Sequence, residues 1–154
     1  MKALIFVLIL LPIQAIAQIK VDDVGDGWKA KVDSAITLVK DVSPEAYKVL
    51  IGSTDRVEFW LGDRSSTRPD PDYNRGTILL AVDEIELGVV NIAAALVHES
   101  LHLRFHQNRT KLEPDHEEAT AYFWELLFLL KVPNCPEWLI INAETQLKAI
   151  GNRN

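Results

Sequence analysis

The sequence predicts a single α+β domain, in which a small mixed or antiparallel sheet packs on a long apolar helix and further helices follow at the C-terminal end. Three observations support this class. Apolar residues recur at helical spacing near the start of the domain, short β-rich runs follow, and the second half of the chain has helical length and periodicity. A helix, then strands, then a helical half is typical of α+β proteins. The length of 154 residues favours one domain.

Residues 1–17 are predicted to be a secretory signal peptide, which leaves residues 18–154 as the domain. A cationic start, a short apolar core and small residues at Ala15 and Ala17 favour cleavage after Ala17. The apolar core is shorter than the span of about 20 apolar residues that a membrane helix needs. We therefore expect an exported protein, periplasmic or secreted, with no membrane contact after cleavage.

The first part of the domain is predicted to contain one helix and one ambiguous run. Residues 18–26 are polar and predict a loose N-terminal segment. Residues 28–39 have apolar side chains at helical spacing and predict the first helix. Residues 47–51 (Tyr-Lys-Val-Leu-Ile) are β-rich and predict a short strand, although Pro44 just before them is also compatible with a helical turn.

Two strands and a long loop are predicted next. Residues 56–61 alternate polar and apolar side chains over their first half, which indicates a strand. Residues 77–82 are apolar on both faces, as expected of an interior strand. Between them, residues 62–76 are rich in Gly, Pro, Asp and Asn, which predicts a loop of a length that is often functional.

Three helices are predicted to complete the chain. The first extends from about Leu87 or Val89 to Phe105 and is apolar over a broad surface. The second extends over residues 114–130, since proline suits a first helical turn and the acidic residues after it favour a helix N-terminus. The third begins near Pro136 and ends before residue 151.

Composition excludes some classes of partner. The net charge is −6, and there is no basic patch to neutralise phosphates, so neither nucleic acid nor an anionic membrane surface is expected as a partner. Cys135 is the one cysteine, so an internal disulfide is excluded and a buried or tolerated free thiol is expected. The four tryptophans are spread over different elements, which favours a role in the core over carbohydrate stacking.

The motif that indicates chemistry is His98-Glu99-Ser100-Leu101-His102, within the most apolar predicted helix. Residues i and i+4 lie on one helical face, so the two imidazoles can bind one zinc ion. Glu99 projects beside them and can accept a proton from a water whose pKa the metal has lowered to roughly 7. The motif predicts a zinc site with His98 and His102 as ligands and Glu99 as general base.

A third protein ligand is expected, because catalytic zinc sites usually have three. His106 lies one turn beyond His102, but three ligands on one straight helix cannot converge on one ion. We therefore expect His106 to be a substrate contact, a support for the ligands or a surface residue. The segment at residues 113–122 offers His116, Glu117 and Glu118 on the next helix, and its small alanines permit close packing of the two helices.

The motif H-E-x-x-H, followed on the next helix by Glu118-Ala119-Thr120-Ala121, resembles the gluzincin branch of zinc peptidases and is similar to its short, minimal-zincin members. The likeness covers about residues 77–130. It implies a zincin-like fold with Glu118 as the third ligand, and Glu117 and then His116 are the alternatives. The sequence departs from the family at Tyr122, where Asp or Asn is frequent, so the residues that support the ligands are not implied.

The resemblance also implies an activity, namely the hydrolysis of a peptide or protein substrate bound as an added strand along a sheet edge. A Tyr, His or Arg is needed to stabilise the oxyanion, and Tyr122, Tyr73 and His106 are the candidates. Two other classes of protein are compatible with the sequence. One is a catalytically inactive zinc-binding domain, and the other is a metal-free exported binding or immunity-type domain.

Overall fold

A computed structural model describes residues 18–153, so the predicted signal peptide lies outside the described residues. The helices of this range are α1 (Trp28–Val42), α2 (Pro44–Ser53), α3 (Val82–Glu86), α4 (Val89–Gln107), α5 (Pro114–Leu129) and α6 (Glu137–Gly151). The strands are β1 (Lys20–Val21), β2 (Thr54–Trp60), β3 (Ser66–Arg68) and β4 (Gly76–Ala81). The class is α+β, as predicted.

The sheet is mixed, and its strand order is β1-β2-β4-β3. β1 and β4 both pair with β2 in parallel, whereas β3 pairs with β4 in antiparallel register, with Thr67 opposite Ile78. After β2 the chain passes to the opposite edge of the sheet and forms β3, and it then returns as β4 between β2 and β3. Two neighbouring strands are thus parallel without a helical crossover between them, and β3 lies at one edge of the sheet.

The predicted strand at residues 47–51 is wrong, because this run belongs to α2. Pro44 lies in the first turn of α2, where a backbone N–H would have no acceptor within the helix, so the absence of this N–H in proline costs nothing. Glu45 follows at the N-terminal end, where the helix dipole favours a negative charge. Ala46 and Leu50 are buried at helical spacing. Burial of this face therefore outweighs the β-propensity of a short run.

Two predicted irregular segments contain strands. In the segment 18–26, predicted to be loose, Lys20–Val21 pairs with β2, and the Asp22 N–H donates to the carbonyl oxygen of Val57 at 3.1 Å. In the predicted loop 62–76, Ser66–Arg68 forms β3. Each strand is two or three residues long, too short for the alternation of side chains to indicate it.

α4 lies at the centre of the fold and packs against α1, α2, β4 and α5. Ten of its residues are buried, so it lacks the wide solvent-exposed polar face of a typical surface helix. Gly76 permits β4 to lie close to this helix, because a β-carbon at this position would lie 2.6 Å from the side chain of Leu103. The H-E-x-x-H motif therefore lies on the helix with the most buried residues among the described helices.

The tryptophans divide into two groups. Trp28 and Trp124 are partly buried against the core, as predicted, and Trp28 contacts Phe59 edge-on at 5.3 Å between ring centroids. Trp60 and Trp138 are exposed, so the expected core role is wrong for these two. Cys135 is a free, half-buried thiol whose pKa is raised by burial. None of the described helices combines the length and apolarity that a membrane crossing requires.

Candidate metal centre

α4 and α5 bring three metal-ligating side chains together. His98 and His102 are one turn apart on α4, and Glu118 lies opposite them in the second turn of α5. One ligand atom from each residue lies within 4.8 Å of the other two. His98 is buried, whereas His102 and Glu118 are partly accessible. The cluster is therefore open to solvent on one side, as a catalytic site requires.

The two imidazoles present their Nε2 atoms to the same carboxylate. His98 Nε2 lies 3.6 Å from Glu118 Oε2, and His102 Nε2 lies 3.4 Å from Glu118 Oε1. Ligand atoms bound to a tetrahedral zinc at about 2.0–2.2 Å are separated by about 3.3–3.6 Å. Each imidazole thus lies at this spacing from one oxygen of Glu118, and two imidazoles and a carboxylate are a donor set that suits a divalent metal.

Each imidazole is held from behind by a glutamate of α5. The Nδ1–H of His98 donates to Glu125 at 3.0 Å, and the Nδ1–H of His102 donates to Glu117 at 2.7 Å. An ionised carboxylate can only accept, so in the neutral form of each imidazole these contacts fix the tautomer in which Nε2 carries the lone pair. In metal sites, a carboxylate that accepts from the outer nitrogen of a ligating histidine orients that ligand and raises its basicity.

The two alternative third ligands have other positions. His116 is exposed and lies outside the cluster. Glu117 points to the far nitrogen of His102, where it supports that ligand from outside. The difference follows from the helix geometry, because consecutive residues are about 100° apart around the axis and only Glu118 faces both imidazoles.

His106 does not join the cluster, in agreement with the argument from the geometry of one helix. Its Nε2–H donates to the carbonyl oxygen of Asp70 at 2.9 Å, and its ring stacks on Tyr73 at 5.0 Å. The Arg109 guanidinium lies over the same tyrosine ring at 4.2 Å. His106 and Tyr73, both candidates for oxyanion stabilisation, thus attach the loop before β4 to the end of α4.

Glu99 is buried beside the cluster and borders the same cleft. Burial raises the pKa of its carboxyl above the ordinary range, against the opposing effect of His98 and His102. A raised pKa suits a carboxylate that accepts a proton and later returns it. The position of Glu99 is therefore compatible with the predicted role as general base.

The charges of the cluster depend strongly on one another. Removal from water lowers the pKa of His98, but hydrogen bonding to Glu118 and Glu125 outweighs this effect and raises the pKa to about 10. In turn, the close approach of His98 lowers the pKa of Glu118. A cation between these groups is therefore electrostatically favoured, whether it is a proton or a metal ion.

The cluster lies on the floor of an open cleft of about 750 Å³. β3 forms one wall, and α5 and α6 form the opposite wall. Tyr122 borders the cleft, and its ring lies edge-on to His98 with 4.4 Å between the ring centroids. Burial raises the pKa of its phenol, which keeps Tyr122 protonated and able to donate.

Two side chains of the candidate site are not predicted by the sequence. Glu125 follows Glu118 by seven residues, which is two helical turns, and it is the one acidic residue in the apolar run from residue 123 to 130. An isolated glutamate in an apolar run, two turns after a predicted ligand, is the feature of the sequence that points to Glu125. Arg64 borders the cleft from the loop before β3, and no spacing in the sequence relates it to the motif.

No protein-family model, no curated protein and no solved structure matches this chain. The likeness to gluzincins thus rests on the residues of the motif alone.

Proposed function

We propose that this chain is an exported zinc-dependent peptidase of the gluzincin type. The observation that supports this most directly is the convergence of His98, His102 and Glu118 with both imidazoles held by carboxylates. Two histidines and one glutamate are the ligand set of several zinc peptidases. The open side of the cluster faces the cleft, where a substrate can reach it.

Each residue of the site has a role in this proposal. His98, His102 and Glu118 hold the zinc, which when bound supplies Lewis acidity and favours ionisation of water near pH 7. Glu99 takes a proton from the attacking water as the oxygen adds to the peptide carbonyl carbon. It then delivers this proton to the amine when the C–N bond breaks. Tyr122 can donate its phenolic hydrogen to the oxygen that gains negative charge.

The substrate is proposed to bind as an extended strand beside β3. β3 is an edge of the sheet and forms a wall of the cleft. Main-chain hydrogen bonds to such an edge bind peptides of varied sequence. The wall at residues 65–67 consists of Ser65, Ser66 and Thr67, small side chains that leave the strand accessible.

Metal analysis followed by an activity screen tests this proposal. The protein is purified without chelators, and its metal content is measured by mass spectrometry beside that of His98→Ala and Glu118→Ala. One zinc per chain, lost in both variants, is expected, with hydrolysis of a peptide library that Glu99→Gln reduces by about 10²- to 10⁴-fold. A parent protein that binds no added zinc would contradict the proposal. Zinc at full occupancy without turnover would favour the catalytically inactive binding domain.

A further inference from the structure

Arg64 is a cleft arginine with no carboxylate partner within residues 18–153. The other arginine of the cleft, Arg153, is paired with Asp115 at 3.1 Å. The backbone at Arg64 is nevertheless well held. Its carbonyl oxygen accepts from the Trp60 indole at 3.1 Å, and the next residue, Ser65, donates its N–H to Glu84 at 3.1 Å. A charged side chain on an anchored segment, facing a cleft, is suited to binding an anion.

Arg64 lies at the end of the cleft where α4 begins. Ser65 contacts Glu84, and the Asn91 side chain near the start of α4 donates to the carbonyl oxygen of the same glutamate at 2.9 Å. At the opposite end, Asp70 contacts His106 near the end of α4. β3 and α4 therefore run in the same direction, and Arg64 precedes both the strand and the metal ligands along it.

This direction determines which end of a bound peptide meets Arg64. A peptide that pairs with β3 in the more stable antiparallel manner runs against the strand, and its C-terminal side points towards the start of β3. Arg64 lies at that start. The positive charge therefore faces the part of the peptide that follows the scissile bond.

Arg64 lines the same cleft as Glu118 and Tyr122, so a substrate bound over the cluster can reach its side chain. Among the other carboxylates that line the cleft, Glu117 and Glu125 hold the imidazoles and Glu84 accepts from Ser65, while Glu99 is buried beside the cluster without an arginine partner in the described residues. A carboxylate that arrives with the substrate thus finds Arg64 available.

We propose that Arg64 binds a carboxylate of the substrate one or two residues beyond the scissile bond. The cleft would then select peptides that end there with a free C-terminus or carry Asp or Glu there. Both ligands present the same planar anion, which an arginine can bind through two parallel hydrogen bonds. This inference rests on the proposed peptidase function, whose substrate class it names.

Peptide binding without turnover tests the inference. Three peptides of one sequence are titrated by calorimetry into zinc-loaded Glu99→Gln: a free C-terminal acid, its amide, and the amide with Asp as the last residue. The acid should bind about tenfold more tightly than the amide, the difference expected for one charge-assisted hydrogen-bonded contact. Tighter binding of the Asp peptide as well would extend the selection to acidic side chains, whereas tighter binding of the acid alone would restrict it to chain ends.

Two substitutions in the same Glu99→Gln background identify the residue responsible. Arg64→Gln should remove the preference, while Arg64→Lys should retain part of it, because the charge remains but the planar contact is lost. Arg104→Gln is the charge-matched control, since Arg104 is an exposed arginine of α4 outside the cleft. It should leave the preference unchanged.

The outcomes separate the two proposals. Equal binding of the acid and the amide, including failure of both to bind, overturns the role of Arg64, as does a preference that survives Arg64→Gln. A preference that depends on Arg64, in a parent protein that hydrolyses no peptide, supports this role and contradicts only the peptidase activity.

Discussion

His98 and Glu125 form a buried pair that joins the two helices of the candidate metal centre. The Nδ1 atom of His98 lies 3.0 Å from the Glu125 carboxylate, and only 7% of the surface of Glu125 is exposed. The contact directs Nε2 of His98 towards Glu118. Glu125 thus takes the supporting role that the sequence could not assign at Tyr122.

Replacement of Glu125 by glutamine should weaken zinc binding by about 10- to 100-fold, because loss of a supporting carboxylate typically has this effect on a metal site. Competition with a chromophoric chelator measures the affinity. The control is Glu144→Gln, which changes the same charge at an exposed position paired with Lys148. Equal affinity for the Glu125 variant and the parent protein would contradict the supporting role.

Replacement of Glu99 by glutamine should leave zinc binding nearly intact and reduce peptide hydrolysis by about 10²- to 10⁴-fold, the usual contribution of a general base. Glutamine has almost the same shape but cannot accept a proton at neutral pH. Metal content and initial rates on one peptide are measured on the same preparation. A variant with full activity and full zinc would exclude Glu99 as the base.

Zinc affinity should decrease as the pH decreases. The neighbouring glutamates raise the pKa of His98 in the metal-free protein to about 10, and only neutral imidazole binds zinc. One proton must therefore leave His98 at neutral pH, so the affinity should change about tenfold per pH unit. Competition titrations across the neutral range measure this slope, and a flat profile would contradict the shift.

The raised pKa of His98 should also make the metal-free protein less stable as the pH increases, whereas zinc affinity increases with pH. The folded pKa of His98 lies above the value of 6.5 expected for an unfolded chain. The pair therefore stabilises the fold fully below about pH 6.5, and this contribution is lost as the pH rises through about 10. Urea unfolding of the zinc-free protein at several pH values should show this loss, and His98→Ala should not.

Ala121→Leu should destabilise the fold and weaken the zinc site together. Ala121 is fully buried on α5 between Glu118 and Glu125, on the face that meets α4. A larger side chain there costs about 1–3 kcal/mol and moves the helices apart. Thermal unfolding and zinc affinity are the measurements. Ala149→Leu makes the same change at an exposed position of α6 and should affect neither.

Tyr73→Ala should release the loop before β4. The Tyr73 ring stacks on His106 and lies under the guanidinium of Arg109, so its removal eliminates both contacts. Limited proteolysis should then cleave the segment at residues 69–75 faster, with zinc content unchanged. Tyr73→Phe retains the ring and should resist cleavage like the parent protein. Equal cleavage rates for the alanine variant and the parent would show that other contacts hold the loop.

The candidate site could be predicted from the sequence because its spacing follows one helical period. His98 and His102 are four residues apart, which places both on one face wherever the helix packs. Glu118 required the resemblance to a family, since no local rule states how two helices are aligned. Glu125 could not be predicted in this way, because a glutamate among apolar residues is also compatible with a solvated helix face.

The fold was harder to predict at its short elements. The helix at residues 44–53 was mistaken for a strand over residues 47–51, because its β-branched and aromatic residues fit both periods over so few positions. β1 and β3 form because they pair with strands elsewhere in the chain. The local sequence pattern of such short segments contains no information about this pairing. Longer elements such as α4 and α6 were found close to their observed bounds.

Glu117, Glu118 and Glu125 all belong to α5, so the proposed metal ligand and the two carboxylates that hold the imidazoles share one helix. Alignment of the site is therefore a property of how α5 packs on α4, and the connecting loop contributes little to it. Extra residues inserted in that loop, at residues 110–112, should be tolerated. One residue inserted into α5 between Glu118 and Glu125 would rotate one carboxylate by about 100° relative to the other and separate the ligand from its support.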